Sequence, residues 1–256
     1  MFRRAMVRSP AENFADGLTT ADLGKPDFGL ALAQHHAYCR ALEACGLEVL
    51  RLPSDKEYPD STFVEDTALL TGRSAILCRP GAASRIGEVE GVRDSIQCFY
   101  SVVHEIAAPG MLDGGDVCEA GSHFFIGLSH RTNEQGVRQL GRFLAASGYT
   151  SSTVDIRSMQ SILHLKSGIA CLDNKVLVVM EELAGREEFS GFSLLPVSPK
   201  ESYASNCILV NDRVLVPAGF PCINGELARR GYKTLPLEMS EFRKMDGGLS
   251  CLSLRL

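Results

Sequence analysis

No two cysteines of this chain stand in a C-x-x-C spacing, and their number, nine, is odd. A disulfide framework and a zinc site both call for ordered pairs, so reduced thiols in a cytoplasm are the expectation. No long run of either charge occurs and the net charge is only −5, which argues against a nucleic-acid or membrane-surface partner. No apolar stretch approaches transmembrane length. The opening residues, MFRRAMVRSPAENF, are basic but lack the apolar segment of a secretory signal. Linkers, low-complexity tracts and composition shifts are missing too. Residues 1–256 therefore read as a single domain, long enough to bury a real core.

What is there is a repeated unit. Two β-branched-rich runs flank a Gly, Asn or Asp turn four times, the signature of a β-hairpin. The pairs are Asp66-Thr67-Ala68-Leu69-Leu70 with Ser74-Ala75-Ile76-Leu77-Cys78, and Asp116-Val117-Cys118 with His123-Phe124-Phe125-Ile126. Gly168-Ile169-Ala170-Cys171-Leu172 pairs with Lys175-Val176-Leu177-Val178-Val179, and Asn206-Cys207-Ile208-Leu209-Val210 with Arg213-Val214-Leu215-Val216. The turns fall at Gly72, Ser122, Asn174 and Asp212, about 40 to 50 residues apart, the period of propeller-like and array folds. Helical spacing follows over 84–99 and 132–148. Short strands close the units at Val102-Val103, Leu194-Leu195 and Thr234-Leu235.

A fifth unit assembles across the ends. A strand over 250–255 pairs with one over 3–7, a helix covers 26–45, and a strand over 48–52 closes it. Joining the termini in this way shuts a ring and leaves no orphan sheet edge.

A ring brings equivalent positions to one axis. The heads of the first hairpin strands carry Glu65-Asp66, residues 113–116, residues 164–167, Asn206-Cys207 and Ser250-Cys251. Carboxylates, a histidine and a cysteine should therefore converge on a central channel. Taken singly, each has a bland reading. Cys78, Cys98, Cys118, Cys171 and Cys207 sit in apolar runs as core filler, and any one cysteine is more often that than a nucleophile. Asp113-Gly114-Gly115-Asp116 could be an ordinary turn. His164 is the one histidine with Leu on both sides; His35, His36, His104, His123 and His130 read as surface or packing residues. Glu65 and Asp66 head a buried strand, which is costly unless a cation neutralises them: a protein side chain on the bland reading, a cationic substrate on the sharp one.

The combination is more specific than its parts. Phe63-Val64-Glu65-Asp66, Leu112-Asp113-Gly114-Gly115-Asp116, His164-Leu165-Lys166 and Asp246-Gly247-Gly248-Leu249-Ser250-Cys251 resemble the dimethylarginine dimethylaminohydrolases in order and content, over essentially the whole chain. So do Arg79-Pro80-Gly81-Ala82 with Ser84-Arg85, and Gly127-Leu128-Ser129 with Arg131-Thr132-Asn133. The resemblance implies an α/β fold, the five-bladed α/β-propeller (pentein) of pseudo-symmetric ββαβ units around a central channel. It makes Cys251 the nucleophile, His164 the general acid/base and Asp113 the residue that orients His164, where some bacterial relatives have Glu. Glu65 and Asp66 would grip the guanidinium, and Arg85 and Arg131 the substrate carboxylate. Asp60, Phe63 and the backbone at Leu18 and Met245 would line the rest of the pocket, under a mobile lid at Gly17-Leu18-Thr19-Thr20. It further implies a small-molecule substrate, a methylated arginine, with no cofactor or metal, and a homodimer as an expectation.

The implied chemistry is demanding. A guanidinium is resonance-stabilised, with a pKa of roughly 12.5 or higher, and its carbon is a poor electrophile. Carboxylates must fix the cation, the cysteine must react as thiolate, and the leaving amine must depart protonated. Three rivals stay open: an arginine deiminase, whose members are typically longer; a non-catalytic binding module on the same fold; and a Cys-His amide hydrolase, which would have no use for paired acids.

Overall fold

The computed structural model describes every residue of the chain except Asn174, so the expected turn at that position lies outside the described residues. Among the described residues, fifteen strands form five separate three-stranded sheets. All follow one rule: the middle strand is antiparallel to the first and parallel to the third. In four sheets a hairpin makes the first pairing, in the other the two chain ends make it, and a crossover makes the second in every sheet.

In the first sheet β1 (Arg4–Arg8) is the middle strand, with α1 (Phe28–Ala44) crossing to β2 (Glu48–Leu52). The second holds β3 (Ala68–Leu70) and β4 (Ala75–Leu77), then α2 (Glu90–Gln97) and β5 (Val103–Glu105). The third holds β6 (Val117–Ala120) and β7 (His123–Leu128), then α3 (Glu134–Ala146) and β8 (Thr150–Asp155). In the fourth, one helical turn, α4 (Leu165–Gly168), leads into β9 (Ile169–Asp173) and β10 (Val176–Met180). Two short 3-10 turns replace the crossover helix before β11 (Ser193–Val197). The fifth holds β12 (Ile208–Val210), β13 (Arg213–Pro217), α5 (Pro221–Arg229) and β14 (Lys233–Leu237). After α6 (Ser240–Arg243) the chain returns to the first sheet as β15 (Leu254–Arg255).

The ring closes as the sequence implied, with Ala5 opposite Arg255 and Met6 opposite Leu254. Asn211, in the left-handed region at φ 55°, fastens the seam. Its side chain accepts from the Phe2 N–H at 2.9 Å and donates to the Phe2 and Cys45 carbonyls at 3.1 and 2.9 Å. The outer helices are cut to length by their caps. Asp27 accepts from Leu30 N–H at 2.7 Å and Asn133 from Gly136 N–H at 2.9 Å, each worth about 1 kcal/mol. Between helices and sheets the core is apolar: Ala75, Ile76, Leu77, Leu215 and Val214 are fully buried.

Two expectations are corrected. The strand over 250–255 is shorter, because Ser250–Leu252 forms a 3-10 turn and only Leu254–Arg255 pairs. Cys98 is exposed and Cys171 partly so, since Cys98 ends α2 beyond its buried stripe; Cys78, Cys118 and Cys207 are buried as expected.

Candidate active site

The heads of the first strands are not extended. A short helical turn precedes each: Val64–Thr67, Gly114–Asp116, α4, Pro199–Ser205 and Ser250–Leu252. Tight winding over three to seven residues turns polar side chains toward the axis before the apolar strand begins. That is why polar side chains gather at these turns while the strands that follow them are apolar.

Cys251 sits on the last of these turns. The approach is sharply bent: Asp246 has φ 55°, a Cβ on Gly247 would collide with the Phe63 ring, and one on Gly248 would press on the Asn206 amide. The Gly248 N–H points at Cys251 Sγ, 3.4 Å away. Burial, with Glu65 and Asp66 nearby, pushes the thiol up to about 12.

His164 precedes α4. Its Nε2 lies 2.9 Å from Asp113 Oδ2 and 4.0 Å from Asp66 Oδ1. Burial disfavours the charged ring, but Asp66, the Asp113 hydrogen bond and Asp116 outweigh it and lift His164 to about 9. Asp113 is fully buried; its other oxygen accepts from Gly81 N–H at 2.8 Å. Asp66 accepts from Gly115 N–H at 2.9 Å and from Arg85 at 2.6 Å. Burial works against its charge, yet His164 and Arg85 hold it down at about 2. The donor atoms of Asp66, Asp113 and His164 lie within 4.8 Å of one another, close enough for a cation. Arg85 and a protonated His164 already neutralise that cluster.

Leu18, Asp60, Phe63, Asp66, Arg85, Arg131, His164, Met245 and Cys251 line one pocket, together with Leu163, Asp246 and Gly247. Its free space is about 20 Å³, little more than one water requires. The segment expected to be a lid is shut over it. Leu18 N–H donates to both Asp60 oxygens at 3.0 and 3.2 Å, and Thr20 N–H to Asp246 Oδ2 at 2.6 Å.

Glu65 is placed elsewhere. One oxygen meets Lys166 Nζ at 2.5 Å and the other accepts from Ser250 Oγ at 2.7 Å. It lines a second, larger cavity of about 680 Å³ at the centre of the ring, not the pocket of Cys251. In this state protein cations neutralise both acids, Lys166 for Glu65 and Arg85 for Asp66, which is the bland of the two readings. Arg85 is likewise turned inward: it pairs with Asp66 and Glu88 and donates to the Phe63 carbonyl at 3.1 Å. Arg131 keeps a freer guanidinium, 3.9 Å from Asp113 at its nearest.

Sequence reasoning left out Glu88 and placed Asp116 near the axis without giving it a role. Glu88, buried and raised by that burial to about 7 even beside Arg85, is a second carboxylate on that arginine. Asp116 accepts from Leu165 N–H at 3.0 Å and from Ser129 Oγ at 2.6 Å, fixing the turn that presents His164. Its place beside Asp113 around the Gly-Gly bend was the available signal.

Ring and pocket together define a five-bladed α/β propeller of the pentein class with a Cys–His–Asp constellation at its centre. The chain is 46% identical over 256 residues to N(G),N(G)-dimethylarginine dimethylaminohydrolase of Pseudomonas aeruginosa, covering all of both chains. It is 36% identical to the Streptomyces coelicolor protein of that name, over 99% of this chain and 97% of that one. The structure superposes with a TM-score of 0.97 and 45% identity, over all of both chains, on the Pseudomonas enzyme solved as a cysteine-to-serine mutant with citrulline. The arginine deiminase family model matches residues 93–203. The chain belongs to the dimethylarginine dimethylaminohydrolase family.

Proposed function

We propose that this chain hydrolyses Nω-methylated arginines, releasing methylamine or dimethylamine and leaving citrulline, through a covalent thiouronium on Cys251. The observation that carries it is the convergence of Cys251, the His164–Asp113 pair and Asp66 on one pocket. The citrulline held by the 45% identical Pseudomonas enzyme fits it.

In the resting site near neutral pH the thiol is protonated and His164 is cationic. The substrate brings a second cation beside Cys251, facing Asp66, and this favours loss of the thiol proton to solvent. The thiolate attacks the guanidinium carbon. Imidazolium, held by Asp113, gives its proton to the methylated nitrogen, and the C–N bond to the amine breaks. Neutral His164 then takes a proton from water as the water attacks the thiouronium carbon. The C–S bond breaks, the hydroxyl of the adduct gives its proton to solvent, Cys251 leaves as thiolate, and the ureido group of citrulline forms.

Arg131 suits the substrate carboxylate, its fork being the freer of the two arginines. Arg85 reaches that carboxylate only by loosening its hold on Glu88 or Asp66. Asp60 and the Leu18 and Met245 backbone then face the amino-acid end. Glu65 acts behind the nucleophile instead of on the guanidinium. The nine free thiols suit a cytoplasmic location. No helix among the described residues is long and apolar enough to cross a membrane. A single domain acting as a homodimer on a small molecule completes the reading; sedimentation at assay concentration checks the dimer.

Citrulline release from asymmetric dimethylarginine, monomethylarginine and free arginine tests the reaction. Turnover of the methylated substrates, lost in Cys251→Ser, is the expected result. Turnover of arginine alone would move the assignment to a deiminase.

A further inference from the structure

Asn206 heads the fourth hairpin, and the mechanism above gives it no role. Yet it is 4% exposed and every polar atom of its side chain is engaged. Its Oδ1 accepts from Ser250 N–H at 2.9 Å, and its Nδ2 donates to Ser250 Oγ at 3.0 Å and to the Lys166 carbonyl at 2.9 Å. The direction of this network is fixed. A backbone N–H only donates, so oxygen must face Ser250 N, which turns the amide nitrogen to Ser250 Oγ. That hydroxyl accepts from Asn206 and passes its own hydrogen to Glu65 Oε2 at 2.7 Å. Glu65 in turn is tied to Lys166.

The amide thus grips the residue just before Cys251 at two points, while its flat face packs against Gly248. Gly248 and Cys251 are the two ends of the bond between N–H and sulfur. We propose that Asn206 is a positioning residue for the nucleophile. By clamping Ser250 it fixes the turn that keeps the Gly248 N–H on Cys251 Sγ and the sulfur aimed at the substrate carbon. This rests on the reading of Cys251 as nucleophile. Asn206 touches no substrate; it acts through Ser250.

The test pairs kinetics with a readout that needs no turnover. In Asn206→Leu, kcat for asymmetric dimethylarginine falls about 100-fold, the cost of a nucleophile displaced by about an ångström, while KM stays within about threefold. Alkylation of Cys251 by iodoacetamide, followed as a function of pH by peptide mass so that Cys98 and Cys222 are counted apart, moves to higher pH because the thiolate loses an N–H donor. Ser250→Ala, which removes only the hydroxyl link, shifts both in the same direction by less. A folded Asn206→Leu protein with wild-type kcat and an unmoved alkylation profile overturns the proposal, even if its Tm is lowered. Should that variant not fold, an unmoved profile in Ser250→Ala overturns it. Failure of the functional reading looks different: wild type would then release no citrulline, while the alkylation profiles would still separate variant from wild type.

Discussion

His164 Nε2 and Asp113 Oδ2 stand 2.9 Å apart, and no other protein group donates to that oxygen within hydrogen-bond range among the described residues. The pairing helps to keep the imidazole charged to about 9, which suits it to the proposed role of proton donor to the leaving amine. The rate on methylated arginine should therefore fall above about pH 9 as imidazolium is lost. Asp113→Asn removes one of the raising charges, and the alkaline limb should move down by about one pH unit or more. A pH–rate profile of both proteins checks this.

The same shift has a stability consequence. The folded pKa of His164 lies above the ordinary value of 6.5. Its pairing with the carboxylates therefore stabilises the fold fully below about pH 6.5, and this contribution is lost as pH rises to about 9. Replacing His164 with Gln should lower Tm at pH 6, and the gap to wild type should narrow by pH 9.5.

Glu65 and Lys166 form a pair whose side chains are only 4% and 16% exposed. Lys166→Met leaves Glu65 buried without a cation and should cost about 3 kcal/mol. Adding Glu65→Gln should recover much of that. Urea denaturation of the single and double variants measures it. No recovery would mean that Lys166 acts through something other than this pair.

Asp246 ties down the segment over 17–20 expected to be a lid. Its Oδ2 accepts from Thr20 N–H at 2.6 Å, Thr20 Oγ1 at 3.0 Å and Thr19 Oγ1 at 3.4 Å. These bonds are exposed, so Asp246→Ala should change global stability by less than about 1 kcal/mol. It should raise KM severalfold by loosening closure over the pocket. Steady-state kinetics beside a thermal melt separates the two effects.

The fold was legible where the signal was local, and its closure from the need to leave no sheet edge unpaired. Alternating apolar runs around Gly72 and Ser122 gave hairpins, and the match of 250–255 with 3–7 gave the closure, differing only in length. The short turns carrying Asp66, Asp116 and Ser250 were not legible, because three or four residues of 3-10 helix leave no periodic trace. The partners of the acids were hidden for another reason. Lys166 lies about a hundred residues from Glu65, and nothing at residue 65 says which cation will meet it. Cys98 misled because an apolar neighbourhood in sequence does not reveal which face of a helix end looks outward.

On the proposed mechanism Cys251 bonds covalently to the guanidinium carbon during turnover. The most direct measurement is the intact mass of the protein quenched in acid during turnover of asymmetric dimethylarginine, followed by peptide mapping. The expected result is a species heavier by the substrate minus dimethylamine, located on Cys251 and absent from Cys251→Ser. Citrulline release without any such species, or an adduct on another residue, would contradict it.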